Sequence, residues 1–292
     1  PETGHQLLQR ILQERRTRWE DKQRAKFAQA GKTPPKGWQA KYPEPAAPET
    51  SDLPALPEGW VWASLDQLAE FVTSGSRGWA EYYSTVGAMF IRSQDINKDR
   101  LDITDAAFVN PPANSEGART RVQRNDLLLT ITGANVGKTA RVEVDLDEAY
   151  VSQHVALIRL VDQDISAYLH LFLICKAGGR GQLDKMAYGA GKPGLNLQQV
   201  LSVAVPVPSL EEMSQLLATL NTQLSAAKEQ DAALARALRQ AAAQRRNLLK
   251  AAFAGQLVPQ DPADEPASEL LARIRASKAD NAGRTRAARN AK

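Results

Sequence analysis

The chain has 292 residues, 43% of them hydrophobic, enough for one large domain or two ordinary ones with a sizeable core. No apolar run reaches the roughly 18–20 residues of a membrane-spanning helix, and no signal-peptide pattern opens it. A lone Cys175 excludes a disulfide framework and points to the reducing cytoplasm. The formal net charge of +4 sits at the ends: residues 1–41 are net +6, residues 273–292 are net +6, and the middle is about −8. Bulk charge is therefore a weak argument for nucleic acid. Because the chain begins on Pro1 rather than Met, it is expected to be a piece of a longer protein.

Residues 5–30 read as a basic helix, with Leu7, Leu8, Ile11, Leu12, Trp19 and Phe27 in a rough stripe. Gly31 ends it. The stretch "KTPPKGWQAKYPEPAAPETSDLPALPEGW" is too rich in proline for a helix and reads as an extended strap. From 60 to 208, short runs rich in Val, Ile and Leu alternate with turn residues. "MFIRSQDI", "DLLLTITG", "TARVEV", "AYVSQHVALIRLV" and "VAVPVPS" each read as a strand. "ISAYLHLFLICKA", residues 165–177, reads as a helix, and the glycine-rich 178–194 as a loop. The expected class is mixed α+β.

The character changes again at Ser209, where Ser209-Leu-Glu-Glu212 is a capping-box signature. No Pro or Gly follows Leu210 until Gly255. Leu210, Leu217, Leu224, Asp231, Leu238, Arg245 and Ala252 share one seam position. Met213, Leu220, Ala227, Leu234, Ala241 and Leu248 share the other. A helix of about 65 Å at 1.5 Å per residue cannot bury such a seam alone and is expected to pack on a partner helix. An internal repeat also appears: Leu7, Leu8, Arg10 and Ile11 in "QLLQRILQERR" match Leu270, Leu271, Arg273 and Ile274 in "ELLARIRASKA". Two repeated units in a parent protein are the natural expectation.

Three enzymatic readings fail on local chemistry. Gly133–Thr139 looks like a phosphate loop, but only three residues separate Gly133 from Gly137, and "TARVEV" follows in place of the helix that would hold phosphate. A strand–turn–strand is expected there. "NPPA" at Asn110–Ala113 lacks the stacking aromatic of an adenine methyltransferase. The three histidines, His5, His154 and His170, form no metal-ligand spacing with the single cysteine, and the only Glu-x-Lys lies in the basic helix, at Glu20–Lys22.

What remains is a binding module. Side chains of the types that read base edges or phosphates fall at strand ends: Arg92, Gln94 and Asn97; Arg119 and Arg121; Asn135 and Lys138; Gln153 and His154; Lys185, Tyr188 and Lys192. Residues 117–141 are net +4 and residues 176–192 net +3. Ordinary solvated loops give the same composition, so on residue type alone both readings stay open.

The ordered series of stretches resembles the specificity subunit of Type I restriction–modification systems. They are "LPEGWVWASLDQLAE" at 56–70, "FIRSQDI" at 90–96, "DLLLTITGANVGK" at 126–138, "YVSQHVALIRL" at 150–160, "GLNLQQVLSVAVPVPSLEEM" at 194–213 and "AAFAGQLVPQDPADEPASELLARIR" at 251–275. The resemblance implies a mixed α/β target recognition domain at 53–208 and a long coiled-coil-like helix at 209–254. A conserved-region end with its linker would occupy 1–52, and a conserved segment with a basic tail 255–292. It implies a non-catalytic chain that reads half of a bipartite site on double-stranded DNA and docks adenine methyltransferase subunits, with or without a restriction subunit. S-adenosylmethionine, ATP and Mg are expected on those partners, and no cofactor in this chain. Leu210, Leu217, Leu220, Leu224, Leu234, Leu238 and Leu248 are the expected subunit interface. The chain departs from the family in carrying one recognition domain, which leaves open whether it functions alone, is half of a longer chain, or pairs with a copy of itself. A helical adaptor, or a stand-alone nucleotide-binding or DNA-modifying enzyme, is the competing reading.

Overall fold

The structure, a computed structural model, describes residues 2–111, 119–189, 193–259 and 261–290. It divides into two units, residues 1–221 and 222–292. Helix α1 (Gly4–Gln29) starts at a capping box: the Thr3 hydroxyl accepts the Gln6 N–H, and the Gln6 carboxamide accepts the Thr3 N–H. Leu7, Leu8 and Ile11 point into the core. Further along, Trp19 stacks on Trp38 of the strap at 5.7 Å and meets Tyr42 edge-on at 5.4 Å, while Arg15 donates to the Tyr42 hydroxyl at 2.7 Å. The proline-rich strap thus has little regular structure of its own and is held by aromatic rings on α1.

Strand β1 (Val61–Ser64) runs into the short helix α2 (Leu65–Leu68), which Ser64 caps, and then into β2 (Ala69–Ser74). There follow β3 (Tyr83–Ser84), β4 (Ala88–Ile91), β5 (Ile96–Asn97), β6 (Arg100–Leu101) and β7 (Ala107–Val109). Next come β8 (Leu127–Thr130), β9 (Thr139–Arg141), β10 (Ala149–Val151) and β11 (Val155–Leu160). Helices α3 (Ser166–Ile174), α4 (Gly179–Met186) and α5 (Leu197–Leu201) lead to β12 (Ala204–Val207), which pairs antiparallel with β1.

The central sheet is antiparallel, in the order β2-β11-β8-β9. Leu127 and Leu129 of β8, with Ala156, Ile158 and Leu160 of β11, face the cluster that holds α1, α3 and α5. The alternate residues Leu128, Val155 and Leu157 face Ile91, Ala149 and Val151 of a second sheet. Side chains alternate between faces, and both faces are covered, so "DLLLT" carries no polar alternation. The second sheet runs β10-β4-β7-β3, with β4 and β10 parallel. On its outer side Trp79, Phe90, Val109 and Tyr150 form a third cluster.

The class is mixed α and β, as expected, and the Gly133–Thr139 stretch is the turn between β8 and β9, with no helix following. Three local expectations are corrected. "MFIRSQDI" is not one strand: β4 ends at Ile91, a 3-10 turn occupies Ser93–Asp95, and β5 begins a different sheet at Ile96. "AYVSQHVALIRLV" is not one strand: it breaks at Ser152–His154, and its halves, β10 and β11, join different sheets. Nor is 178–194 a loop throughout, since α4 occupies its first half. Leu183 is fully buried there, and the Gln182 carboxamide exchanges two hydrogen bonds with the Ala204 backbone, at 2.8 and 2.9 Å. A Cβ on Gly181 would lie 2.2 Å from the Lys176 carbonyl oxygen, so this glycine serves close packing.

Helix α6 (Leu210–Phe253) has 44 residues and begins at the expected capping box, with Glu212 N donating to Ser209 Oγ at 3.1 Å. In the second unit, Leu224, Leu234, Leu238 and Leu248 are 47–64% exposed. Helix α7 (Ala267–Asn290) follows. Among the described residues no helix is long and apolar enough to cross a membrane.

Candidate nucleic-acid interface

Parallel pairing decides the geometry of the first unit's surface. Because β4 and β10 run in the same direction, their C-terminal ends lie side by side. The turns that follow, Arg92–Asp95 and Ser152–His154, therefore meet. Ser152 N donates to Ile91 O at 2.8 Å and closes the contact. A cavity of about 310 Å³ opens at this edge, lined by Ser76, Trp79, Tyr83, Phe90, Arg92, Gln94, Ser152, Gln153 and His154. Trp79 and Phe90 stack at 5.6 Å and Tyr83 packs edge-on against Phe90 at 5.7 Å, giving the cavity an aromatic wall. The Ser76 hydroxyl is buried with no hydrogen-bond partner.

Arg92 and Gln94 act as a pair. The Arg92 guanidinium grips Asp95, Nε to Oδ2 at 3.0 Å and a terminal nitrogen to Oδ1 at 2.8 Å, and also donates to Asp105 O at 2.6 Å. The hydrogen bonds to Asp95 raise its pKa above the ordinary arginine value. Gln94 is exposed, and assigning its amide from the local hydrogen-bond network puts the oxygen toward Arg92, 3.3 Å from both terminal nitrogens. Its NH₂ group is left as the outward donor. Beside it, Gln153 Nε2 lies 3.3 Å from His154 Nε2.

Hydrogen bonds extend this edge to the neighbouring turns. Ile131 N donates to His154 O at 2.9 Å, and Asn135 Nδ2 to Ser93 O at 3.3 Å. Tyr188 and Gly194 exchange two bonds, at 3.1 and 2.9 Å, and Gly133 N donates to Pro193 O at 3.0 Å. The β8–β9 turn carrying Asn135 and Lys138 is thus stitched to the cavity on one side and to the Tyr188 loop on the other. Tyr188 is 64% exposed, and Lys185 is exposed on α4.

Other residues named from the sequence lie apart from the cavity lining. Asn97 is exposed on the β5–β6 hairpin, whose tip is anchored: His170 Nε2 lies 3.0 Å from Asp99 O and 3.1 Å from Thr139 O, and Arg180 pairs with Asp99 Oδ1. Arg119 is exposed, and Arg121 donates to Asp147 O at 3.1 Å beside the start of β10. Lys192, Pro112 and Ala113 lie outside the described residues. Trp79, Tyr83, Phe90 and Ser76 escaped the sequence reading. The aromatic density of "GWAEYY" was the available signal, but polarity had been the criterion for the site. Among the described residues no group of three or more His, Cys, Asp or Glu is placed to hold a metal.

The model of the Type I restriction modification DNA specificity domain matches residues 57–232, more than half of the chain. The chain belongs to that family. This specificity-domain protein is 26% identical over 207 residues to the Escherichia coli Type I restriction enzyme EcoBI specificity subunit, covering 68% of the chain and 43% of the relative. Among solved structures, the HsdS subunit from Thermoanaerobacter tengcongensis aligns with a TM-score of 0.47 and 20% identity, over 87% of this chain and 57% of that one. The S subunit from M. genitalium aligns with a TM-score of 0.41 and 12% identity, over 56% and 38% of the two chains. The specificity-domain chain therefore spans less than half the length of its curated relative.

Proposed function

We propose that residues 1–221 read base sequence in double-stranded DNA, covering half of a bipartite target. In this reading α6 docks adenine methyltransferase subunits of a Type I complex. The observation that carries it is the convergence of Gln94, Gln153, His154 and Asn135 at one sheet edge, in a chain of the specificity-domain family. Amide side chains discriminate base edges, and Lys138 and Lys185 flank them as phosphate contacts. The clamp on Gln94 narrows its chemistry. With its oxygen occupied by Arg92, it offers only a donor, which suits the acceptor edge of guanine or thymine O4 and not the paired donor–acceptor edge of adenine.

This reading assigns no catalytic step to the chain. Methyl transfer from S-adenosylmethionine, and any ATP- and Mg-dependent step of a restriction subunit, belong to the partners. The exposed seam of α6, with Leu238 64% exposed, supports docking and equally favours a second reading as a helical adaptor. Methylation mapping separates the two. The chain is co-expressed with its candidate modification subunit in a host without adenine methylation, and modified adenines are read across the genome. One split motif with a fixed spacer, absent without this chain, is expected. A soluble complex that leaves no new methylation overturns DNA reading in favour of the adaptor.

A further inference from the structure

The cavity beside the Ser152 turn has two kinds of wall. One is apolar. Trp79 and Phe90, each 5% exposed, stack at 5.6 Å, and Tyr83, 50% exposed, meets Phe90 edge-on at 5.7 Å. Tyr82 and Tyr150 brace Trp79 edge-on, at 6.2 and 5.2 Å. Trp79 and Phe90 are therefore packed in place, and Tyr83 is the ring that stands open. The other wall is polar, and its donors are largely committed. The Arg92 guanidinium is held by Asp95, by Asp105 O and by the Gln94 carboxamide oxygen. What the Arg92–Gln94 pair offers outward is the Gln94 NH₂ donor. Gly75 draws the end of β2 to the same edge. Its N–H donates to Ser152 O at 3.3 Å, and a Cβ there would lie 2.0 Å from Val151 O, so this approach requires glycine.

We infer that this cavity takes the 5-methyl group of a thymine, and that Tyr83 together with Gln94 sets a preference for thymine at one position of the half-site. The inference rests on the DNA reading proposed above and narrows it. In the major groove, thymine alone of the four bases places a methyl group beside an acceptor, O4. An open aromatic ring beside a single donor is the complement of that edge. Guanine also offers acceptors, but its O6 and N7 are matched by a two-pronged donor. The arginine that would supply one is held by Asp95. Guanine would also set the rings against polar atoms, which lose their water there without gaining a partner. Cytosine presents an amino donor in the groove, and adenine sets one beside its N7 acceptor. Each would meet the Gln94 NH₂ donor to donor. The preference therefore falls on thymine, with the methyl group on Tyr83 and O4 accepting from Gln94.

Base analogues test this on the full chain assembled with its modification subunit. Duplexes carrying the mapped motif have each thymine replaced in turn by deoxyuridine, which keeps O4 and loses the methyl group. Affinity is expected to fall about four-fold at one thymine, the effect of burying a single methyl group. At that position 5-methylcytosine, which keeps the methyl group and exchanges O4 for an amino group, is expected to bind more weakly than deoxyuridine. In Tyr83→Ala, thymine and deoxyuridine there are expected to bind alike. Tyr83→Phe keeps the ring and is expected to retain the difference, and the deoxyuridine scan on the parent needs no variant at all. Tight binding to the motif with no thymine sensitive to loss of its methyl group overturns the assignment and leaves DNA reading standing. So does a sensitivity that persists undiminished in Tyr83→Ala. A complex that prefers no sequence over any other overturns the reading itself, and this inference with it.

Discussion

Ser152 donates its backbone N–H to the Ile91 carbonyl at 2.8 Å, and this bond joins two turns that lie some sixty residues apart in the chain. Gln94 follows one end of it, and Gln153 and His154 the other. The surface proposed to read DNA exists because β4 and β10 pair in parallel and stop together.

The Gln94 clamp makes the first prediction. Gln94→Ala is expected to weaken binding to the cognate half-site by about 1–3 kcal/mol and to relax one position of it. Arg92→Ala frees the carboxamide to rotate, so it is expected to change the preferred base at that position as well as to lower stability, because Asp95 loses the guanidinium and keeps only the backbone N–H of residue 92. Methylation mapping of both variants checks this. An unchanged motif in each would remove Gln94 from the reading surface.

Lys138 sits in the β8–β9 turn, where its backbone is fully used: its N–H donates to Asn135 O at 3.0 Å and its carbonyl accepts from Thr130 N at 2.9 Å. Its side chain plays no part in those bonds. Lys138→Ala is expected to leave the melting temperature unchanged and to weaken DNA binding across all sequences. The slope of log affinity against log salt should fall by about one unit. The same slope in both proteins would exclude a phosphate contact.

Leu238 is 64% exposed in α6. Leu238→Asp is expected to alter the stability of the isolated chain by less than about 0.5 kcal/mol but to abolish co-purification with methyltransferase subunits, because a charge would be buried without a partner on assembly. Leu217→Asp, nearer the start of the helix, is expected to do the same to assembly. Intact complexes with both variants would place the docking surface elsewhere.

Glu70 ties α1 to β2. Burial raises its pKa, but Lys22 and Arg18 outweigh burial and hold the carboxyl below its ordinary value of 4.5. A depressed folded pKa means that the unfolded chain takes up the proton first. The stabilisation is complete above about pH 4.5 and is lost as pH falls through the lower folded value. Acid unfolding curves of Glu70→Gln are expected to be flatter in that window than those of the parent. Identical curves would show that the pair contributes nothing to acid stability.

Much of the organisation was legible along the chain. Ser209 and Glu212 announced the start of α6, and the absence of Pro and Gly after Leu210 announced its length. The prolines of the strap excluded helix. The spacing of Gly133 and Gly137, with β-branched alternation after them, predicted a turn between strands and no phosphate loop. These are local properties, set by backbone geometry within a few residues. The same logic failed at "AYVSQHVALIRLV", because a continuous apolar run carries no sign of which sheet each half will join. It failed at α4 too, where Leu183 and Gln182 override a glycine-rich composition through contacts with distant residues.

The sequence by itself determined the class, the long seam, the repeated Leu-Leu-x-Arg-Ile segment and the residue types of the proposed reading surface, since each depends on short-range spacing. Only the tertiary structure decided which of those residues meet. Parallel pairing of β4 with β10, the Asn135–Ser93 bond and the covering of both faces of β8 are non-local choices, made by burial across long stretches of chain. They bring Trp79, Phe90, Gln94 and His154 to one cavity, while leaving Arg121 at the start of β10 and Asn97 on its own hairpin.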